Sequence, residues 1–123
     1  MAIIQTAPSS YTLDALNEEV VFGPGGVDLQ LSDTDALYFQ ITAPTSTLDL
    51  QLQSSLDGTN WFPLSFSRQS SNASATIQLS AASYGDIGNV SHSNIPYLKF
   101  KVTAYTSGSI TIVSAFSRRI FTR

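Results

Sequence analysis

The sequence predicts an all-β domain, an antiparallel β-sandwich or jelly roll of about seven or eight short strands, with an N-terminal extended arm. Three observations predict it. Apolar residues recur at every second position in several short runs, which is the period of a half-buried strand. Turn-forming residues separate those runs at regular intervals. No stretch keeps the three-to-four-residue apolar period of an amphipathic helix. The length of 123 residues fits one domain.

The clearest strand is Leu48-Asp49-Leu50-Gln51-Leu52-Gln53-Ser54-Ser55, with Leu48, Leu50 and Leu52 on one face. Leu37 to Thr42 repeats the pattern with Leu37, Phe39 and Ile41 inward. Leu98 to Thr103 places Leu98, Phe100 and Val102 inward, so both Lys99 and Lys101 fall on the wet face. Ile110-Thr111-Ile112 opens a further strand whose continuation through Val113, Ala115 or Phe116 slips phase, suggesting a bulge. Weaker candidates are Val27 to Leu31, Phe62 to Phe66 and Ala75 to Leu79. Turns are expected at Gly23 to Gly26, Pro44 to Ser46, Asp57 to Asn60, Ser70 to Asn72 and Thr106 to Gly108.

Two stretches break this rhythm. Residues 1–26 read as an N-terminal arm ordered on a neighbour, or as an edge strand added to the body at 27–123. In this stretch Ser10 could cap one helical turn, whereas Val20-Val21-Phe22 prefers extended structure. Ala81 to Pro96 reads as a long polar connection of the kind that carries contacts.

Composition excludes several functions. There is no cysteine, hence neither a disulfide framework nor a thiolate metal site. No run approaches the ~18 apolar residues of a membrane span, and the first residues lack the basic and apolar regions of a signal peptide. A pI near 4.7 argues against general nucleic-acid binding. Serine and threonine fill 31 of 123 positions while charged residues make up only 12%. That balance suits a hydrogen-bonded, strand-rich surface partly covered by neighbours. Charge is also segregated: all nine acids and Arg68 lie in residues 1–98, giving −8. The five remaining bases, Lys99, Lys101, Arg118, Arg119 and Arg123, follow with no acid among them. They form either a solvated basic edge that discourages aggregation or a basic face for an acidic surface on another molecule.

Chemistry-bearing motifs are sparse. His92, the single histidine, has no acid nearby in sequence to orient it, and there is no Gly-x-Ser-x-Gly elbow, so no enzyme is expected. Asp28, Asp33 and Asp35 lack the later glutamate of a calcium loop, and Asp33-Thr34-Asp35 reads as a turn. Gly23-Pro24-Gly25-Gly26 has no Lys-Ser/Thr after it and reads as a hinge. Neither cofactor nor metal is expected. Trp61, the single tryptophan, follows the Asp57-Gly58 hairpin signal. It reads as a plug over the open end of the sandwich, or as a sugar-stacking platform shared with Tyr38, Tyr84, Tyr97 and Tyr105.

The element Ser54-Ser55-Leu56-Asp57-Gly58-Thr59-Asn60-Trp61, with Pro96-Tyr97-Leu98-Lys99-Phe100-Lys101-Val102-Thr103 and the Gly108 turn into Ile110-Thr111-Ile112-Val113, resembles small β-sandwich virion proteins of tailed bacteriophages. The matching pieces span most of residues 36–117. Capsid decoration (cement) proteins, head fibres and tail accessory proteins share such modules. The resemblance implies a structural, non-catalytic protein, best matched by a decoration protein made in the host bacterial cytoplasm and bound to the capsid surface. Its partners would be the major capsid protein and copies of itself, as a homotrimer, without nucleic acid or membrane. The interface is then expected at Ile3, Ile4, Tyr11, Leu13 and Leu16 of the arm and at Arg118, Arg119 and Arg123. Deleting residues 1–16 should abolish shell binding while the sandwich still melts cooperatively. The alternative is a fibre-type carbohydrate-binding module acting through Trp61.

Overall fold

A computed structural model describes residues 2–5, 9–22, 36–69, 73–90 and 97–120, with side chains through most of 10–22, 38–69, 73–90 and 97–113. All regular structure in these residues is antiparallel strand. In chain order the strands are β1 (Ala2–Gln5), β2 (Ser9–Leu13), β3 (Glu19–Phe22), β4 (Ala36–Ser55), β5 (Phe62–Pro63), β6 (Ser67–Arg68), β7 (Thr76–Val90), β8 (Tyr97–Ser107) and β9 (Ile110–Ile120).

The sheet is organised by two long strands. β4 pairs with β7 from Leu37 to Gln51, but its other edge changes partner. Residues 36–42 pair with β9, and residues 47–55 pair with β8. The change falls at an irregularity between Ala43 and Thr47. Pro44 lies there and has no N–H to give a ladder, which favours an interruption of the pairing. Opposite it, Ala81 takes a left-handed φ of 59° and is the extra residue on β7.

Phe39 and Leu52 are thirteen residues apart, roughly 40 Å along a straight strand. Yet the Phe39 ring meets that of Phe100 edge-on at 4.6 Å, and Phe100 is the register partner of Leu52. The sheet therefore bends back on itself at the irregularity, and its two halves face each other, consistent with the expected sandwich. The alternating residues fill the space between: Phe39, Ile41, Leu48, Leu50, Leu52, Ile77, Leu98, Phe100, Val102, Ile110 and Ile112 are buried. Buried positions on β4 are odd-numbered before the bend and even-numbered after it, up to Leu52. The irregularity restores the inward face that a straight strand would have lost.

Several expectations need correction. Pro44 to Ser46 is no turn between strands but the bend inside one. Residues 81–90 of the expected long connection continue β7, because they pair with the first half of β4. β9 runs in register from Thr111 to Ser117 against β4, without the expected bulge. Helical structure does not form after Ser10, which lies in β2. Val27 to Leu31, Gly23 to Gly26 and Ser70 to Asn72 lie outside the described residues.

The boundary at residue 26 does not separate an arm from a body either. β2 pairs with β9 and β3 with β8, the edge-strand arrangement that residues 1–26 also allowed. Leu13, Val20 and Phe22 are buried in the common core, and Tyr11 packs edge-on against Phe22 at 5.9 Å. Between them Asn17, with a φ of 66°, turns the chain across from one half to the other. Its N–H bonds the Val102 carbonyl, and the Val102 N–H bonds the Glu18 carbonyl. Deleting residues 1–16 therefore empties the Leu13 site. Loss of a buried leucine costs about 2–5 kcal/mol, so the fragment 17–123 should melt on the order of 10 °C below the full chain. Equal melting temperatures by calorimetry would show that this segment adds nothing to the fold.

Candidate functional site

The site is built where β4 ends. Asp57-Gly58 closes the hairpin into β5, with Ser54 paired to Phe62 and Gln53 to Pro63. The Ser55 hydroxyl accepts the N–H groups of Asp57 and Gly58 and donates to Asp57 Oδ1 at 2.9 Å. Oδ1 also accepts the N–H groups of Thr59 and Asn60, and Oδ2 accepts the Asn60 side-chain amide. Gly58 has a φ of 77°, and a Cβ there would sit 3.1 Å from the Tyr97 ring. The loop is thus fixed by its own side chains, as an Asx turn is.

Those hydrogen bonds hold the Asp57 carboxyl well below the usual carboxylate range, led by the N–H groups of Asn60 and Thr59. A depressed folded value stabilises the fold above the ordinary value near 3.8, and this contribution is lost as pH falls below it. Asp57→Ala should therefore reduce stability at neutral pH. Its difference from the wild type should shrink steadily in urea titrations from pH 4 down to pH 2; a difference independent of pH would contradict this account.

Beside the hairpin, Trp61 lies on the outer face of the sheet. Lys99 Nζ sits 4.3 Å from its ring centroid and 3.0 Å from Glu19 Oε2, while Tyr97 meets the indole edge-on at 6.3 Å. Lys99 is accordingly buried and not on a wet face, although its side chain points away from the core. Alternation set its direction; the cover came from Trp61 and from Glu19 on β3, neither of which is near it in sequence. Trp61 is half-buried over this cation. It is not part of the core, and of the four tyrosines Tyr97 stands beside it while the other three are engaged elsewhere. Tyr84 accepts a hydrogen bond from Arg68, Tyr105 donates to the Gly108 carbonyl, and Tyr38 lines a separate small groove with Ile87 and Asn89.

Next to the hairpin lies an open groove of about 550 Å³, lined by Ser54, Ser55, Leu56, Asp57, Asn60 and Phe62. Leu56 is 76% exposed and Phe62 65% exposed, the two most exposed large apolar side chains among the described residues. Sequence reading placed Phe62 in a strand and gave Leu56 no role. The available signal was that an apolar residue beside Asp57-Gly58, at a hairpin tip, has no interior to enter.

The expected interface residues divide. On β1 and β9, backbone register brings Ile3 opposite Arg119 and Ile4 opposite Arg118. Leu16 is exposed on the turn after β2, and Tyr11 is half-buried. Leu13 is spent in the core of its own chain and has no surface to offer a neighbour. Arg123, His92, Asp28, Asp33 and Asp35 lie outside the described residues. No group of three metal-ligating side chains forms among the described residues, and no helix among them is long and apolar enough to cross a membrane.

The fold and hairpin define a small antiparallel β domain with a rigid, partly apolar tip. No protein-family model matches the chain, and no curated protein matches it. Among solved structures it is similar to the SPBc2 prophage-derived protein YomS, at 11% identity and a TM-score of 0.61. That match covers 91% of this chain and 96% of the other, so the two share the fold over nearly their whole lengths. A subunit described under "Bacillus endospore appendages form a novel family of disulfide-linked pili" aligns at 12% identity and a TM-score of 0.45, over 95% of this chain and 89% of that one.

Proposed function

We propose that the chain is a structural protein of a phage particle, and within that class a decoration protein that binds the outside of an assembled head. The observation that carries this reading is the whole-length likeness of its fold to that of a prophage-derived protein of similar size. The exposed Leu56–Phe62 groove and the opposed charge of the two parts of the chain support a role exercised through contacts. The protein acts by binding, without catalysis. A decoration protein favours the assembled lattice over free subunits and so shifts the shell toward the closed state by mass action. At a free concentration of 100 times Kd this is worth about 2.7 kcal/mol per site. Linked copies add multivalency, each bound contact raising the local concentration of the next.

Two measurements test the coarse and fine readings separately. Mass spectrometry of purified particles, from the phage whose genome carries this chain, should find it as a stoichiometric component; its absence would overturn the particle reading. Purified chain mixed with heads lacking it should co-sediment to saturation and raise the temperature of DNA release. Chain left in the supernatant at excess heads would overturn the decoration role.

A further inference from the structure

The groove beside the hairpin has features of a built recognition surface. Its walls are held before any partner arrives, since hydrogen bonds of Ser55, Asp57 and Asn60 fix the loop. A preformed surface loses little conformational freedom on binding. Leu56 and Phe62 stand in solvent on it, and burying each would recover apolar area that the isolated chain leaves wet. Asp57 is the single charged residue of the lining among the described residues. Its Oδ1 is saturated by three donors, whereas its Oδ2 takes one hydrogen bond, from the Asn60 amide. A carboxylate oxygen has room for a second donor, and a cationic donor is the strongest available.

The complement of this surface is in the same chain. Along the paired edge of β1 and β9, register places Ile3 opposite Arg119, Ile4 opposite Arg118 and Ala2 opposite Ile120. No acidic residue occurs in residues 1–13 or 99–123, so this edge carries apolar and basic residues without an acid among them. Arg118 and Arg119 are the basic positions on β9, while Lys99 on β8 is committed to Glu19 and Trp61 within its own chain. Ala36, beside Ser117, and Ser55, beside the groove, are the two ends of β4, and both lie remote from its bend.

We propose that the Leu56–Phe62 groove is an interface between copies of this chain, filled by the apolar and basic β1–β9 edge of a second copy. By its composition that edge supplies apolar area to set against Leu56 and Phe62 and positive charge to complement Asp57. The contact is heterologous within each pair of surfaces, and two-fold or ring symmetry closes it. A groove of this size supplies less than the ~800 Å² per partner of a stable interface, so association is concentration-dependent. Because it is in part an ion pair at a surface, salt weakens it.

The inference does not rest on the decoration reading, since it is measured on the purified chain without heads. Light scattering from about 1 μM to about 1 mM should show the mass rising from 13.2 kDa toward an integral multiple. The variant Leu56→Ser/Phe62→Ser should stay monomeric over the same range with an unchanged melting temperature, because both side chains are already solvated. Arg118→Glu/Arg119→Glu should weaken association at least about tenfold at low salt and less at high salt. A photo-crosslinking residue at position 62, in an equimolar mixture of ¹⁴N- and ¹⁵N-labelled chain, should give mixed-label adducts to peptides from residues 2–5 or 114–120. A monomer at every concentration would overturn the proposal. So would association of Leu56→Ser/Phe62→Ser as tight as that of the wild type, or adducts confined to other segments. Crosslinking that appears only when heads are added would assign the groove to another protein.

Discussion

Phe100→Ala is expected to remove about 3–5 kcal/mol of stability, the usual range for a fully buried phenylalanine. Phe100 has no solvent exposure, and its ring packs edge-on against Phe39 at 4.6 Å and Phe66 at 5.7 Å. It thus touches both halves of the bent sheet. Truncation removes the transfer free energy of the ring and leaves a cavity between two layers that the bends of β4 and β7 hold apart. Total stabilities of single domains run from about 5 to 15 kcal/mol, so the variant should lose a large share of its fold. Guanidinium unfolding should show a markedly lower midpoint with little change in slope. Thr103→Ala, at an exposed position of the same strand, is the control and should change stability by less than about 0.5 kcal/mol. A Phe100→Ala loss below 1 kcal/mol would mean that the halves do not share a packed core.

Gly108→Ala should be nearly as damaging, by a different route. Gly108 has a φ of 88°, where an L side chain costs roughly 1–2 kcal/mol. A Cβ there would also lie 2.8 Å from the Ser46 Cα and closer still to its side chain. Ser46 is buried at the bend of β4, and its hydroxyl donates to the Ser109 carbonyl and accepts the Ser109 N–H. Pushing it aside breaks these bonds in a buried setting, at a further cost of about 1–3 kcal/mol. A total near 3 kcal/mol is expected by urea denaturation. Removing the Ser46 hydroxyl first should absorb part of it. The double variant Ser46→Ala/Gly108→Ala should therefore fall short of the summed single effects by about 1 kcal/mol, and strict additivity would show that the two residues do not press on each other.

These two sites differ in how far the sequence revealed them. Phe100 was legible at once, because Leu98, Phe100 and Val102 alternate with Lys99 and Lys101, and a strand offers only two faces. The Asp57-Gly58 hairpin was legible for a similar reason: its residues bond one another within a few positions. Ser46 was not. It reads as one polar residue in a Pro-Thr-Ser turn signal, yet it is buried because it stands where β4 bends and the β8–β9 turn closes over it. Lys99 shows the same limit from the other side: sequence alternation correctly gave its direction, and tertiary packing reversed its exposure.

The residues before Val27 carry the sharpest contrast. Their irregular pattern allowed an arm or an edge strand, and the expected domain boundary and interface followed the arm. Pairing decided for the strand over residues 9–22, and with it Leu13 passed from the expected interface into the core. Phe62 stays in a strand, as expected, but it stands in solvent with Leu56, to which the sequence gave no role, as a wall of a groove.

By itself the sequence determined the all-β class, the inward faces of the main strands and the hairpin at Asp57-Gly58. Each is written in spacing of two residues or in bonds between neighbours, which do not depend on the rest of the chain. Only the tertiary structure decided which edges pair, where the sheet bends and which apolar residues stay in water. Those outcomes depend on residues tens of positions apart meeting across the bend of β4, and no local period encodes that distance.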